Sequence, residues 1–175
     1  MSTGLPEIID PIALCKRGAE LVGNIPLDSM QRLKSIVIDV LGDARVELQF
    51  SSTRYTGKRI TGQVAGAVFA ECQRCLEPVQ LNINCEVNLQ LVKDEAAAAE
   101  LAEDCDPLLA QEDSEFQLLE IVEDELLLAL PIVALHEQPA CEVAVSSKDS
   151  KNEQTDPSNR SNPFSSLSLL KQPKE

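Results

Sequence analysis

The segment from Val79 to Leu91 alternates without a break. Val79, Leu81, Ile83, Cys85, Val87, Leu89 and Leu91 are apolar, and Gln80, Asn82, Asn84, Glu86, Asn88 and Gln90 between them are polar. Period two puts all the apolar side chains on one face of an extended chain, which a helix cannot do. A long strand with one wet face predicts an antiparallel sheet covered on a single side. Two upstream segments support it. Ala44, Val46, Leu48 and Phe50 alternate with Arg45, Glu47 and Gln49. Within Ile60–Glu71, Val64 and Val68 share one phase, and Gly62 and Gly66 suggest bends or bulges. The three strands predict a meander.

The flanks read as helices. Asp10-Pro11 has the form of a cap and first helical position, leading into Ile12, Leu14, Cys15, Ala19 and Leu21 until Gly23-Asn24 breaks the segment. Pro26 and Asp28 introduce a second short helix with Met30, Leu33, Ile36 and Val37 on one side, unless Ile36–Leu41 passes directly into a strand. Lys93 to Glu115 is acidic and alanine-rich, and predicts a solvent-exposed excursion with a helical turn at the alanines. A further helix is expected from Asp113-Ser114, where Ser114 and Gln117 have capping-box spacing. Its apolar side runs from Leu118 to Leu130, its acidic residues Glu120, Glu123, Asp124 and Glu125 face water, and Pro131 stops it. This helix is the natural cover for the dry face of the sheet. The expected fold class is therefore α+β, an antiparallel sheet of at least three strands with helices on one face. Residues 1–145 form the domain. Residues 146–161 hold nothing to bury and are expected to be a disordered linker. Residues 162–175 read as a short amphipathic docking segment in which Phe164, Leu167 and Leu170 recur every third position.

Charge narrows the function classes. The chain carries 15 Lys+Arg against 29 Asp+Glu, a formal net charge of −14, and only 3 % aromatic residues with no Trp. Phosphates attract Lys and Arg, and unpaired bases stack on aromatic faces, so tight autonomous binding to bare RNA or DNA is disfavoured and basic partners are favoured. No uncharged apolar run reaches the length of a membrane-spanning helix, since the greasy stretch Leu126–Leu135 is short and contains Pro131. The N-terminus has no basic region followed by an apolar run, so a cytoplasmic protein with mostly reduced or metal-bound cysteines is expected. Phosphate loop, dinucleotide fingerprint and nucleophile elbow are all missing from the sequence.

The chemistry-bearing residues are the cysteines and the single histidine. Cys72-Gln-Arg-Cys75 falls where the second strand turns into the third, and such a pair can offer two thiolates to one tetrahedral metal ion. His136 and Cys141, in HEQPAC, supply the complement of a Cys₃His structural zinc site joining the hairpin to the end of the helix. The competing readings are that Cys72 and Cys75 are simply reduced with His136 on the surface, or that the pair exchanges disulfides. The redox motif normally opens a helix within a βαβ unit, which these flanks do not suggest. Cys85, in phase with Leu81, Ile83 and Val87, reads as a core thiol, whereas Cys15 and Cys105 have no evident partner. Arg74, between the two ligand cysteines, is a candidate contact residue at the hairpin tip. Glu120, Glu123, Asp124 and Glu125 read as a solvated helix face, not as general acids or bases.

Taken in order, these motifs resemble a bacterial family. The Asp10-Pro11 segment, E-C-Q-R-C-L-E-P at 71–78, V-E-D-E-L-L-L-A-L-P at 122–131, the His136/Cys141 pair and N-P-F at 162–164 are similar to the YceD family, the large ribosomal RNA subunit accumulation proteins. The resemblance implies a non-enzymatic factor in the processing, stability or assembly of large-subunit 23S ribosomal RNA. It carries over to Cys72, Arg74, Cys75, Glu123, Asp124, Glu125, Pro131, His136, Cys141, Asn162, Pro163 and Phe164, without a catalytic role for any. Given the charge, the expected partners are ribosomal or rRNA-processing proteins, docked on Arg74 or on Asn162, Pro163, Phe164, Leu167 and Leu170, with ribosomal RNA engaged indirectly. Two alternatives stand beside this. One is a direct RNA-binding module using Arg54, Lys58 and Arg59; the other is a thiol-redox or zinc-dependent enzyme at Cys72/Cys75.

Overall fold

A computed structural model describes residues 4–54, 57–102 and 105–137 together with Cys141. The linker 146–161 and the segment carrying Asn162, Pro163, Phe164, Leu167 and Leu170 lie outside the described residues. The expected meander forms the centre of the fold: β3 (Asp39–Thr53), β4 (Gly57–Glu71) and β5 (Pro78–Val92) pair antiparallel in sequence order. The period-two readings land on the buried face, where Val46, Phe50, Ile60, Val64 and Val68 are completely inaccessible. Gly62 is needed for a close approach, because a Cβ there would meet the Glu47 carbonyl oxygen of β3 at 1.9 Å. The bulge itself lies in β3, where the register slips between Leu41 and Arg45 around Gly42, at φ +66°.

Two strands of this sheet escape the sequence reading and change its description. β2 (Glu20–Pro26) pairs antiparallel with β3 along one edge, and β6 (Asp106–Leu109) pairs with β5 along the other, giving the order β2-β3-β4-β5-β6. The β5–β6 pair is parallel, so the sheet is mixed rather than purely antiparallel. The physical reason is the connection. Parallel neighbours need a crossover, and the acidic excursion supplies it through α3 (Glu95–Ala99), whose N-cap Asp94 accepts from the Ala97 amide at 2.9 Å. The excursion is thus partly structured, and its own Cys105 and Ala110 are buried.

The first helix, α1 (Pro11–Arg17), starts as expected, with the Asp10 carboxylate accepting from the Ala13 amide. It ends earlier than the apolar spacing suggested. Gly18 adopts φ +62° and turns the chain, and Leu21 belongs to β2. A 3₁₀ turn at Leu27–Ser29 leads into α2 (Gln31–Ile36), which buries Met30 and Leu33 while Ile36 stays exposed. The last helix, α4, runs from Leu118 to Ala129. It does not begin at Ser114, because Phe116–Gln117 is β7, paired with β1 (Ile8–Ile9). The Ser114 hydroxyl instead accepts from the Gln111 amide within a turn. α1, α2 and α4 share a single apolar core with the dry face of the sheet.

One reading of α4 is overturned. Glu120 and Asp124 do face water, but Glu123 and Glu125 are buried, at 3 % and 8 % exposure. Helical phase assumes one covered side; α4 is covered twice, by the sheet below and by α2 alongside. Glu123 accepts from the Leu33 amide at 3.0 Å and from Arg32 Nε at 2.9 Å, capping the start of α2 from outside.

Candidate metal centre

The site is built on the turn between β4 and β5. Residues 72–77 close it through two backbone bonds, from the Cys72 amide to the Glu77 carbonyl and from the Leu76 amide to the Cys72 carbonyl. Leu76 sits at φ +64°, a left-handed conformation that folds the backbone back over Cys72. That geometry aims the amides of Cys75 and Arg74 at the Cys72 sulfur. The arm following α4 then crosses the tip, tied by a bond from the Gln73 amide to the Ala134 carbonyl at 2.9 Å, and the His136 amide becomes a third donor to the same sulfur. A small apolar cluster of Cys72, Val79, Ala134 and Cys141 seals the site, separate from the main core.

All four residues expected from spacing come together. One ligand atom each from Cys72, Cys75, His136 and Cys141 lies within 4.8 Å of the other three. The Cys72 and Cys141 sulfurs are 3.7 Å apart, and the Cys75 sulfur is 3.4 Å from His136 Nδ1. A tetrahedral zinc ion with its usual bond lengths has sulfur–sulfur edges of about 3.8 Å and sulfur–nitrogen edges of about 3.5 Å; these two separations match such edges, and all four donors are close enough for one ion. The histidine is already oriented for it. Its Nε2 lies 3.1 Å from the Pro78 carbonyl, which can only accept, so the proton sits on Nε2 and the Nδ1 lone pair faces the cysteines. This cluster can hold a metal ion.

The thiols are electrostatically unequal. Burial pushes the Cys72 thiol up, but the amides of Cys75, His136 and Arg74 outweigh it and bring it down to about 5. Burial, then hydrogen bonding to Cys75 and Cys72, pushes Cys141 up to about 11. Of the two, Cys72 is the more readily ionised. The remaining cysteines are elsewhere. Cys15 is buried with its Sγ on the Arg59 carbonyl, and half-buried Cys85 bonds the Val64 carbonyl, in keeping with its core reading. Cys105 is buried against the side chains of Asn88 and Gln90. All six are free thiols.

Arg74 is half-buried, its backbone engaged in the turn. Arg54, Lys58 and Arg59 gather at the β3–β4 end of the sheet, and Arg59 bonds Gln90 at 3.3 Å. Pro131 lies two residues past the end of α4, after Leu130. Sequence reasoning missed Leu76, whose positive φ no spacing rule marks. Leu76→Gly is expected to leave folding stability unchanged or raise it by up to about 1 kcal/mol, whereas Leu76→Val should lower it by about 1–2 kcal/mol, both read from urea midpoints.

Residues 60–171 match the family described as large ribosomal RNA subunit accumulation protein YceD. The chain is similar to the protein of that name from Haemophilus influenzae, with 35 % identity over 168 residues, covering 96 % of this chain and 97 % of that protein. No solved structure matches it. No helix among the described residues is long and apolar enough to cross a membrane.

Proposed function

Because the chain belongs to the YceD family of large ribosomal RNA subunit accumulation proteins, we propose that it promotes accumulation of 23S ribosomal RNA in the cytoplasm as a non-enzymatic factor, through contacts with basic ribosomal or processing proteins. The observation that carries the protein-contact part is the net charge of −14, which repels bare phosphate chains and attracts basic polypeptides. Cys72, Cys75, His136 and Cys141 hold one structural zinc ion, which fixes the β4–β5 tip and the arm after α4 as one surface with Arg74 in it. When bound, the metal supplies cross-linking rather than a reactive water, since four protein ligands leave no open position. The segment at Asn162, Pro163, Phe164, Leu167 and Leu170 is a second docking element on this reading.

The test is affinity capture from lysate, with and without nuclease, using the full chain and a chain cut before Asn162. Captured large-subunit proteins that survive nuclease support the reading; complete loss on nuclease treatment overturns it. Reversing the charges of Arg54, Lys58 and Arg59 tests direct RNA binding. Under the protein-contact reading 23S RNA levels stay unchanged. Anaerobic metal analysis tests the redox alternative, which requires a metal-free chain with an easily cycled Cys72–Cys75 disulfide.

A further inference from the structure

The five-stranded sheet ends in a step. β6 covers β5 only from Leu89 to Val92, so the stretch from Gln80 to Glu86 has β4 on one side and no strand on the other among the described residues. The direction of its backbone groups is set at both ends. Val92 accepts from the Ala110 amide on the β6 side, and Pro78, of the same parity, accepts from His136. The register with β4 is unbroken between them, and backbone polar groups alternate sides along a strand. Gln80, Asn82, Asn84 and Glu86 therefore turn their N–H and C=O groups outward, where no backbone partner meets them among the described residues.

Sheet edges are usually blunted by short length, proline, lysine or bulges. β2 carries Pro26 and has Leu5 packed over Gly23; β6 is four residues long and contains Pro107. The open part of β5 has none of these devices, and Glu86 is its only charged residue. Beside the step, α4 and the start of β6 border a cavity of about 520 Å³ lined by Leu89, Leu127 and Leu128 and by the acidic residues Asp106, Asp124 and Glu125. Arg32 already holds Asp124. Glu125 is 8 % exposed and has no hydrogen-bond or ion-pair partner among the described residues. Burial, followed by the charges of Asp106 and Asp124, raises its carboxyl above the usual range. A largely covered carboxylate whose pKa burial, Asp106 and Asp124 all raise, and which no cation pairs among the described residues, offers a place for one.

We infer that the open edge of β5 takes up an extended basic polypeptide segment as an added strand, with one of its Lys or Arg side chains meeting Glu125 in the adjoining cavity. Main-chain bonds to Asn82 and Asn84 give such a mode its affinity, and alternate side chains give it selectivity. The inference rests on the protein-contact reading above and narrows it to one edge and one partner chemistry.

The probe is a fluorescein-labelled octapeptide of alternating lysine and valine, titrated against the full chain, with an alternating lysine–glycine octapeptide of equal charge as comparison. Hydrogen exchange at the Asn82 and Asn84 amides is expected to slow about tenfold or more on binding the first peptide. Asn84→Pro, a substitution tolerated on an open edge, should weaken binding about tenfold, and Glu125→Gln about threefold or more. Glu125→Gln leaves the strand intact and so remains decisive if Asn84→Pro fails to fold. Equal binding of the glycine peptide, or unchanged exchange at both amides, overturns the inference. So does dimerisation by light scattering that Asn84→Pro abolishes, since the occupant is then a second copy. Displacement of the peptide by oligouridylate overturns it as well. If Asn84→Pro still captures nuclease-resistant partners from lysate, the edge inference falls and the protein-contact reading stands.

Discussion

Cys141→Ser is expected to abolish zinc retention and lower the melting temperature by about 10 °C, from loss of about 3 kcal/mol. Full collapse is not expected, because the main core is closed without the site: Phe50, Met30, Leu33 and Leu126 are completely buried in it. A bound metal would hold the tip at 72–77 to the arm carrying Ala134, His136 and Cys141, and among the described residues the apolar cluster there centres on Cys72, Val79, Ala134 and Cys141. Anaerobic purification should yield one zinc per chain, and chelation should open the amides of Gln73 and Leu76 to exchange while leaving Val46 and Val64 protected. Metal-free protein with an unchanged melting temperature would falsify the structural role.

The same site makes a signed prediction about protons. Cys72 is lowered to about 5 and is already a thiolate at pH 7, while Cys141, raised to about 11, still carries its proton. Zinc uptake at pH 7 must therefore expel at least the Cys141 proton, so affinity climbs as pH rises above 7. Calorimetry in buffers of different ionisation enthalpy reads this directly. An apparent binding enthalpy that is identical in all buffers contradicts it.

Glu123→Ala is expected to cost about 3 kcal/mol of folding stability. The carboxylate is 3 % exposed and accepts from two donors, the Leu33 amide and Arg32 Nε. Leu33 is itself inaccessible, so truncation leaves its N–H without water or partner, a penalty of about 1–3 kcal/mol, and the charge-assisted bond to half-exposed Arg32 disappears as well. Glu123→Gln keeps an acceptor for Leu33 and should cost about 1 kcal/mol. Urea midpoints that place both variants within about 0.5 kcal/mol of the parent contradict the latch.

The two buried glutamates show where sequence reading stops. Helical phase sorts α4 correctly for Leu118, Val122 and Leu126, yet it cannot tell that a second helix lies alongside. Glu123 and Glu125 are thus indistinguishable in sequence from Glu120, although one caps α2 and the other borders a cavity. β2 shows a related limit. An edge strand with Gly23 and Asn24 at its centre has too short an alternation to stand out, and Ala19 and Leu21 happened to extend the apolar spacing of α1. β6 was hidden for another reason: four residues inside an acidic loop carry no pattern, and only the open side of β5 makes them a strand.

The long alternations were decisive alone, because period two over β3, β4 and β5 allows one buried face and fixes which residues share it. The spacing of Cys72, Cys75, His136 and Cys141 likewise picked out four residues that the fold brings together. Tertiary structure decided the rest: that the sheet is mixed, that His136 is turned by the Pro78 carbonyl, that Leu76 takes a left-handed turn, and that no strand among the described residues covers β5 from Gln80 to Glu86. These depend on contacts between residues far apart in the chain, and local periodicity carries no information about what a surface will meet.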